Sequence, residues 1–191
     1  MITTGIELTT AITNIAIFFV SIYSFFKTKD KLWKIFFFLM SVDSFLGTIA
    51  HGIVMSQTIN NILWVILTII FTITINMFIC IFKDVNMKTN YLLSIILSIT
   101  LLILFYLGLD YLLVFSLYCL LVVLFSIYLI IKKNYKNKLW FLLGLFFQLL
   151  GGVFIFTKTD FGLINHNCIY HLLTVITVIL FYIGNKKVQI K

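Results

Sequence analysis

The sequence predicts an all-α membrane protein, a bundle of seven transmembrane helices. Hydrophobic residues make up 62% of the 191 residues and charged residues only 10%, which leaves too little polar surface for a water-soluble domain. The mean hydropathy is +1.16. Apolar runs long enough to cross about 30 Å of hydrocarbon are joined by short connections. We therefore expect one transmembrane domain over residues 1–191.

The helices follow from these apolar runs and from the lysines that punctuate them. Helix 1 ends before a group of lysines at 27–34, helix 3 before Lys83 and Lys88, helix 5 before the lysines at 132–138, and helix 7 before those at 186–191. Helices 2, 4 and 6 are the runs between. The predicted spans are about 8–26, 33–55, 61–82, 90–109, 111–131, 139–157 and 165–184.

The lysines also predict the orientation of the bundle. Of the 14 lysines, only Lys158 falls outside the alternate set of loops. Because short loops rich in cationic residues stay on the cytoplasmic side, we expect the N-terminus outside and the C-terminus inside. A count of six or eight helices would break this alternation.

Location and partners follow from the same composition. The formal charge of +8 resides at helix ends, where it suits an anionic membrane leaflet, and no basic domain predicts binding to nucleic acid. The expected location is the cell membrane, and a lysine-, isoleucine- and asparagine-rich chain without arginine favours the cytoplasmic membrane of a bacterium. The expected partners are the lipid bilayer and a lipid substrate.

Polar residues inside helix 2 are the first candidates for function. Asp43, Gly47 and His51 are spaced four residues apart, which places them on one helix face. Asp43 lies near the middle of the span. A carboxyl group is costly at that depth, so a functional role for Asp43 is the default hypothesis.

The topology brings all three histidines to one face of the membrane. His51 lies near the outer end of helix 2, His166 and His171 lie in the first two turns of helix 7, and Glu7 and Asn14 belong to the outer part of helix 1. Three neutral imidazoles plus water form the ligand set of a catalytic zinc site, and a nearby carboxylate can act as general base. The alternative is that these residues only make hydrogen bonds between helices. Both interpretations remain open.

The same residues resemble a known superfamily. A histidine near the end of helix 2 and the helix 7 segment NHNCIYHLLT are similar to the alkaline ceramidase and progestin/adipoQ receptor superfamily of seven-helix membrane proteins. Its zinc is held by one helix 2 histidine and an HxxxH pair on helix 7. The resemblance implies zinc as cofactor, with His51 and His171 as two of the ligands.

The sequence departs from the superfamily pattern at positions in helix 7 and helix 2. Asn167 stands where the first helix 7 histidine is expected, and His166 precedes it. His166 and His171 are five residues apart, so their side chains diverge on a regular helix, and His166 could bind zinc only if the start of helix 7 unwinds. Gly47 replaces a serine of the superfamily, and Thr48 carries the nearest hydroxyl.

The sequence thus favours a zinc-dependent hydrolase that acts on an amide or ester bond of a lipid in the outer leaflet. In that hypothesis His51, His166 and His171 bind the metal, and Glu7 or Asp43 is the acid/base. Asn167, Thr48 and Asn14 support the site. The alternatives are an ion- or solute-binding membrane protein centred on Asp43, or a membrane scaffold without catalysis.

Overall fold

The computed structural model describes residues 7–83, 87–107, 111–162 and 164–188, and it confirms seven α-helices. In chain order they are α1 (Leu8–Lys27), α2 (Lys31–Gly52), α3 (Gln57–Lys83), α4 (Met87–Tyr106), α5 (Tyr111–Lys132), α6 (Lys138–Thr157) and α7 (His166–Val188).

The boundary between α2 and α3 differs most from the sequence prediction. Helix α2 ends three residues earlier than predicted because Ile53 is extended, with φ −125° and ψ 131°. Helix α3 begins at Gln57, after Ser56, whose hydroxyl accepts from the Ile59 N–H at 3.4 Å. Serine is a favoured residue at a helix start. Ser56 therefore marks the start of α3, which the hydrophobicity pattern placed several residues later.

Most of the helices are suited to a membrane. Among the described residues, six are long and apolar enough to span one, namely all except α4, in which the apolar stretch Tyr91–Leu104 is shorter. This composition fits a helical membrane bundle. The N-outside orientation stays a prediction.

The helices pack in a closed cycle. Helix α1 contacts α2, and the cycle continues through α3, α5, α6 and α7 back to α1, while α4 packs against α3 and α5. Around the cycle the helices therefore follow their order in the sequence, except that α4 lies outside it. Helices α1, α2 and α7 are consecutive members of the cycle.

Aromatic side chains fill one end of the bundle, which we call the aromatic end. The Trp33 ring stacks on Phe141, with centroids 5.3 Å apart and planes 12° apart, and it also contacts Phe181. The aromatic end consists of Trp33, Phe36, Phe37, Phe78, Phe82, Phe141 and Phe181. It lies where α2 and α6 begin and where α3 and α7 approach their ends, next to the lysine-rich loops.

Candidate functional site

The opposite end of the bundle, where α1 begins, α2 ends and α7 begins, is polar, and we call it the polar end. The Glu7 backbone N–H donates to the His51 carbonyl at 2.8 Å, and the Glu7 carbonyl accepts from the Ala11 N–H at 2.9 Å. These two bonds tie the start of α1 to the last turn of α2. They bring the Glu7 and His51 side chains to the same place.

The Glu7 carboxylate is the centre of the polar end. Its Oε2 lies 3.3 Å from His51 Nδ1 and accepts from the side-chain amides of Asn165 at 3.4 Å and Asn167 at 3.3 Å. The contact with His51 has the distance of an ion pair but not the geometry of a hydrogen bond, and because an ionised carboxylate only accepts, we assign the imidazole proton of His51 to Nδ1. His51 Nε2 then carries the lone pair that can take a proton or bind a cation.

His171 is held in a comparable way from α1. Its Nδ1 lies 3.2 Å from the Thr13 hydroxyl oxygen, and that hydroxyl donates to the Thr10 carbonyl at 2.9 Å. Because a hydroxyl has one proton, we assign Thr13 as acceptor and His171 Nδ1 as donor, which leaves the lone pair of His171 on Nε2. The His51 and His171 rings are in contact, with centroids 5.9 Å apart.

Asn165 belongs to the polar end but was not predicted from the sequence. Its Oδ1 accepts from the Cys168 N–H at 2.8 Å and from the Thr10 hydroxyl at 3.2 Å, while its amide donates to Glu7. Asn165 thus caps α7 and joins α7 to α1. The available signal was an asparagine directly before a helix, which is a preferred capping residue.

His166 does not join the other two histidines. Its backbone N–H and its Nδ1 lie 2.7 Å and 2.8 Å from Asp160 Oδ1, in the connection between α6 and α7. The hydrogen bond from the His166 side chain holds the pKa of Asp160 below its ordinary value, and the bond from the His166 backbone adds to this. The imidazole is therefore engaged away from Glu7.

The predicted metal site of His51, His166 and His171 does not assemble here. Among the described residues, no group of three or more His, Cys, Asp or Glu side chains is arranged to hold a metal ion. Catalytic zinc ordinarily has three protein ligands, and only His51 and His171 meet. Zinc binding stays a prediction.

The remaining candidates lie deeper in the bundle. Asp43 is eight residues before His51, about 12 Å along α2 at 1.5 Å per residue. The Thr48 hydroxyl donates to the Ser44 carbonyl at 2.9 Å, inside its own helix. Asn14 packs against α2 at Gly47, where an added Cβ would lie 3.1 Å from Asn14 Oδ1.

Comparisons with known proteins give one match. Residues 9–190 match the profile described as "Family of unknown function (DUF6962)". No curated protein matches the chain, and no solved structure matches it. Because the match covers nearly the whole sequence, the chain belongs to this family of unknown function, DUF6962.

Proposed function

We propose that this protein is a membrane-embedded hydrolase of a lipid amide or ester, and that Glu7 and His51 carry the reaction with His171 beside them. The convergence of one carboxylate and two imidazoles at the polar end is the observation that supports it. The side chains are 7% exposed for His51 and 19% exposed for Glu7. A group of this kind is shielded from bulk water yet reachable, which suits acid–base chemistry.

The proposed reaction uses water and these side chains. His51 Nε2 takes a proton from a water molecule, whose oxygen forms a bond to the carbonyl carbon of the lipid. The Glu7 carboxylate stabilises the resulting imidazolium, as the carboxylate of a Ser–His–Asp triad does. The bond from carbon to the leaving nitrogen or oxygen then breaks, and His51 returns its proton to that atom.

The substrate class rests on two observations. Six helices are long and apolar enough to span a membrane, so a molecule that reaches the polar end sideways must be soluble in lipid. The likeness of His51 and NHNCIYHLLT to the alkaline ceramidase superfamily also favours an amide or ester of a lipid. With the predicted orientation, the polar end lies in the outer leaflet of the cell membrane.

Lipid hydrolysis by purified protein tests the proposal. Detergent-purified protein is mixed with lipids that carry one amide or one ester bond, and released fatty acid is measured. Glu7→Gln and His51→Gln should each lower the rate at least about 100-fold, the usual contribution of acid–base catalysis. His166→Gln is the matched control and should keep the wild-type rate, because His166 contacts Asp160. No release by wild type, or equal rates in all variants, would refute the proposal.

The orientation is tested with reporters. A reporter fused after Lys191 should be read in the cytoplasm and one fused ahead of Glu7 outside, as the lysine distribution predicts. Both termini on one side would contradict the seven-helix count, and a reporter ahead of Glu7 that is read in the cytoplasm would exclude an outer-leaflet substrate.

Elemental analysis of the same variants tests zinc binding. If His51 and His171 bind zinc, His51→Ala and His171→Ala should both lose it, whereas His166→Ala should keep it. Wild type with well under one equivalent of zinc after incubation with the ion would exclude zinc as the cofactor.

A further inference from the structure

A groove on the surface of the bundle lies between α1 and α7, in the parts of these helices that approach the aromatic end. We call it the α1–α7 groove, and its volume is about 310 Å³. It is lined by Phe19, Val20, Tyr23, Ser24, Ile179 and Tyr182. The Ser24 hydroxyl donates to the Val20 carbonyl at 2.7 Å, inside its own helix. The walls are therefore mainly aliphatic and aromatic, and they suit an acyl chain.

Both helices carry a lysine one turn beyond this groove. On α1, Lys27 follows Tyr23 by four residues, and on α7, Lys186 follows Tyr182 by four residues. Residues four apart are neighbours on the surface of a helix, so each lysine continues the face that lines the groove. Both lysines are exposed.

Contacts between α1 and α7 bring these two lysines to the same end of the groove. The helices run parallel, since both begin at the polar end. The Tyr23 and Tyr182 rings are in contact, with centroids 5.8 Å apart. One turn further, the Asn185 amide donates to the Thr28 hydroxyl at 3.4 Å, and these two residues are direct chain neighbours of the two lysines. The lysines therefore flank the end of the groove from its two sides.

The charge at this end of the groove is positive. Residues 27–34 include four lysines and one acidic residue, Asp30. The Asp30 side chain accepts from the Trp33 N–H at 3.0 Å and so caps α2. The sequence of α7 has no aspartate or glutamate beside Lys186. An anion that reaches the end of the groove would thus meet an excess of cationic side chains.

The apolar walls and the two lysines together match one class of ligand. Basic pockets between membrane helices bind anionic lipid head groups, whereas a zwitterionic lipid carries its own cation. We propose that the α1–α7 groove binds one phospholipid with a net negative head group, whose acyl chain lies in the groove and whose phosphate is bound by Lys27 and Lys186. The lysines lie about 30 Å along α1 from its start at the polar end. This lipid is therefore distinct from the substrate of the proposed hydrolysis.

Thermal unfolding in mixed micelles tests the site. A ligand that binds the folded state raises Tm according to its concentration relative to Kd. Dioleoyl phosphatidylglycerol should therefore raise the wild-type Tm by several degrees more than dioleoyl phosphatidylcholine at the same mole fraction. The double variant Lys27→Gln/Lys186→Gln should lose this difference. Lys132→Gln/Lys133→Gln is the matched control, because it removes two lysines where α5 ends, and it should respond as wild type does.

Further measurements test the groove and exclude other sources of the effect. Glycerol 3-phosphate has the phosphate without acyl chains and should leave the wild-type Tm unchanged at constant ionic strength. Ile179→Trp places a larger ring in the groove and should weaken the response to phosphatidylglycerol several-fold. Leu117→Trp, at an exposed position of α5, should not weaken it. Glu7→Gln should keep the full response, because the polar end is not involved.

Four outcomes would overturn the proposal. The first is an equal effect of the two lipids on the wild-type Tm, and the second is an unchanged preference for phosphatidylglycerol in Lys27→Gln/Lys186→Gln. The third is a wild-type response in Ile179→Trp or an equal effect of glycerol 3-phosphate, either of which would exclude the acyl chain from the groove. The fourth is loss of the response in Glu7→Gln, which would place the lipid at the polar end. Because the readout is Tm, these outcomes do not depend on lipid hydrolysis.

Discussion

The aromatic end and the polar end of the bundle are packed by opposite chemistry. At the aromatic end Phe37 and Phe82 are 0% exposed, and the rings contact one another in stacked and edge-on pairs. At the polar end the contacts are hydrogen bonds among carboxylate, amide and imidazole groups. One end therefore supplies the packing that stabilises the bundle, and the other holds the polar groups to which we assign the reaction, as expected if a functional site costs stability that the rest of the fold supplies.

Glycines allow helices to approach closely at both ends. An added Cβ at Gly144 would lie 2.4 Å from Phe181, and one at Gly184 would lie 2.8 Å from Phe141. These glycines let α6 and α7 approach closely around the aromatic rings, as small residues do in membrane helices. At the polar end an added Cβ at Gly52 would lie 3.3 Å from Ala11, and α1, α2 and α7 are joined there by Glu7, Thr13 and Asn165 as well.

The largest expected effect is at the aromatic end. Trp33→Ala removes a buried ring that contacts Phe141 and Phe181, and we expect the free energy of unfolding to fall by about 4 kcal/mol, as for other buried aromatic truncations. Unfolding in a mixture of mild and denaturing detergents measures it. Phe26→Ala is the control, because Phe26 is 71% exposed, and it should change little. A loss for Trp33→Ala no larger than that for Phe26→Ala would contradict the comparison.

A smaller loss of stability is expected at the polar end. Asn165→Ala removes the α7 cap and should lower the free energy of unfolding by about 1 kcal/mol. It also removes one of the amides that donate to Glu7. The rate of lipid hydrolysis should therefore fall by a larger factor than the folding equilibrium constant does. Gln57→Ala is a control for a lost amide, since exposed Gln57 donates to Asn61 in the next turn of α3. If Asn165→Ala keeps the wild-type rate of lipid hydrolysis, the cap of α7 is not needed by the candidate site.

The smallest expected effect is a dependence on acid. The pKa of Asp160 is lowered in the folded protein, so its contribution to stability is present above the ordinary pKa of an aspartate and is lost as the pH falls through the lower folded value. Asp160→Asn should flatten this part of the Tm profile below pH 4 or so. Because Asp160 is exposed, the change should be small. An unchanged acid profile in the variant would show that His166 and Asp160 are not paired in solution.

The sequence predicted more of the fold than of the site. Apolar runs and the lysine pattern were enough for seven helices, since hydrocarbon thickness and loop charge act on local sequence. The structure also places Glu7, His51, Asn167 and His171 together, as their shared depth suggested. Asn165 was missed because a cap depends on where α7 begins, and hydrophobicity locates that start only within a few residues.

By itself, the sequence determined the membrane class, the number of helices and the depth of each polar residue along its helix. Only the tertiary structure decided the cycle of helices, the pairing of His166 with Asp160 and the separation of Asp43 from the polar end. The physical reason is that depth follows from position in the chain at 1.5 Å per residue. Which side chains meet depends also on how each helix is rotated and which helix stands beside it, and packing among all the helices sets both.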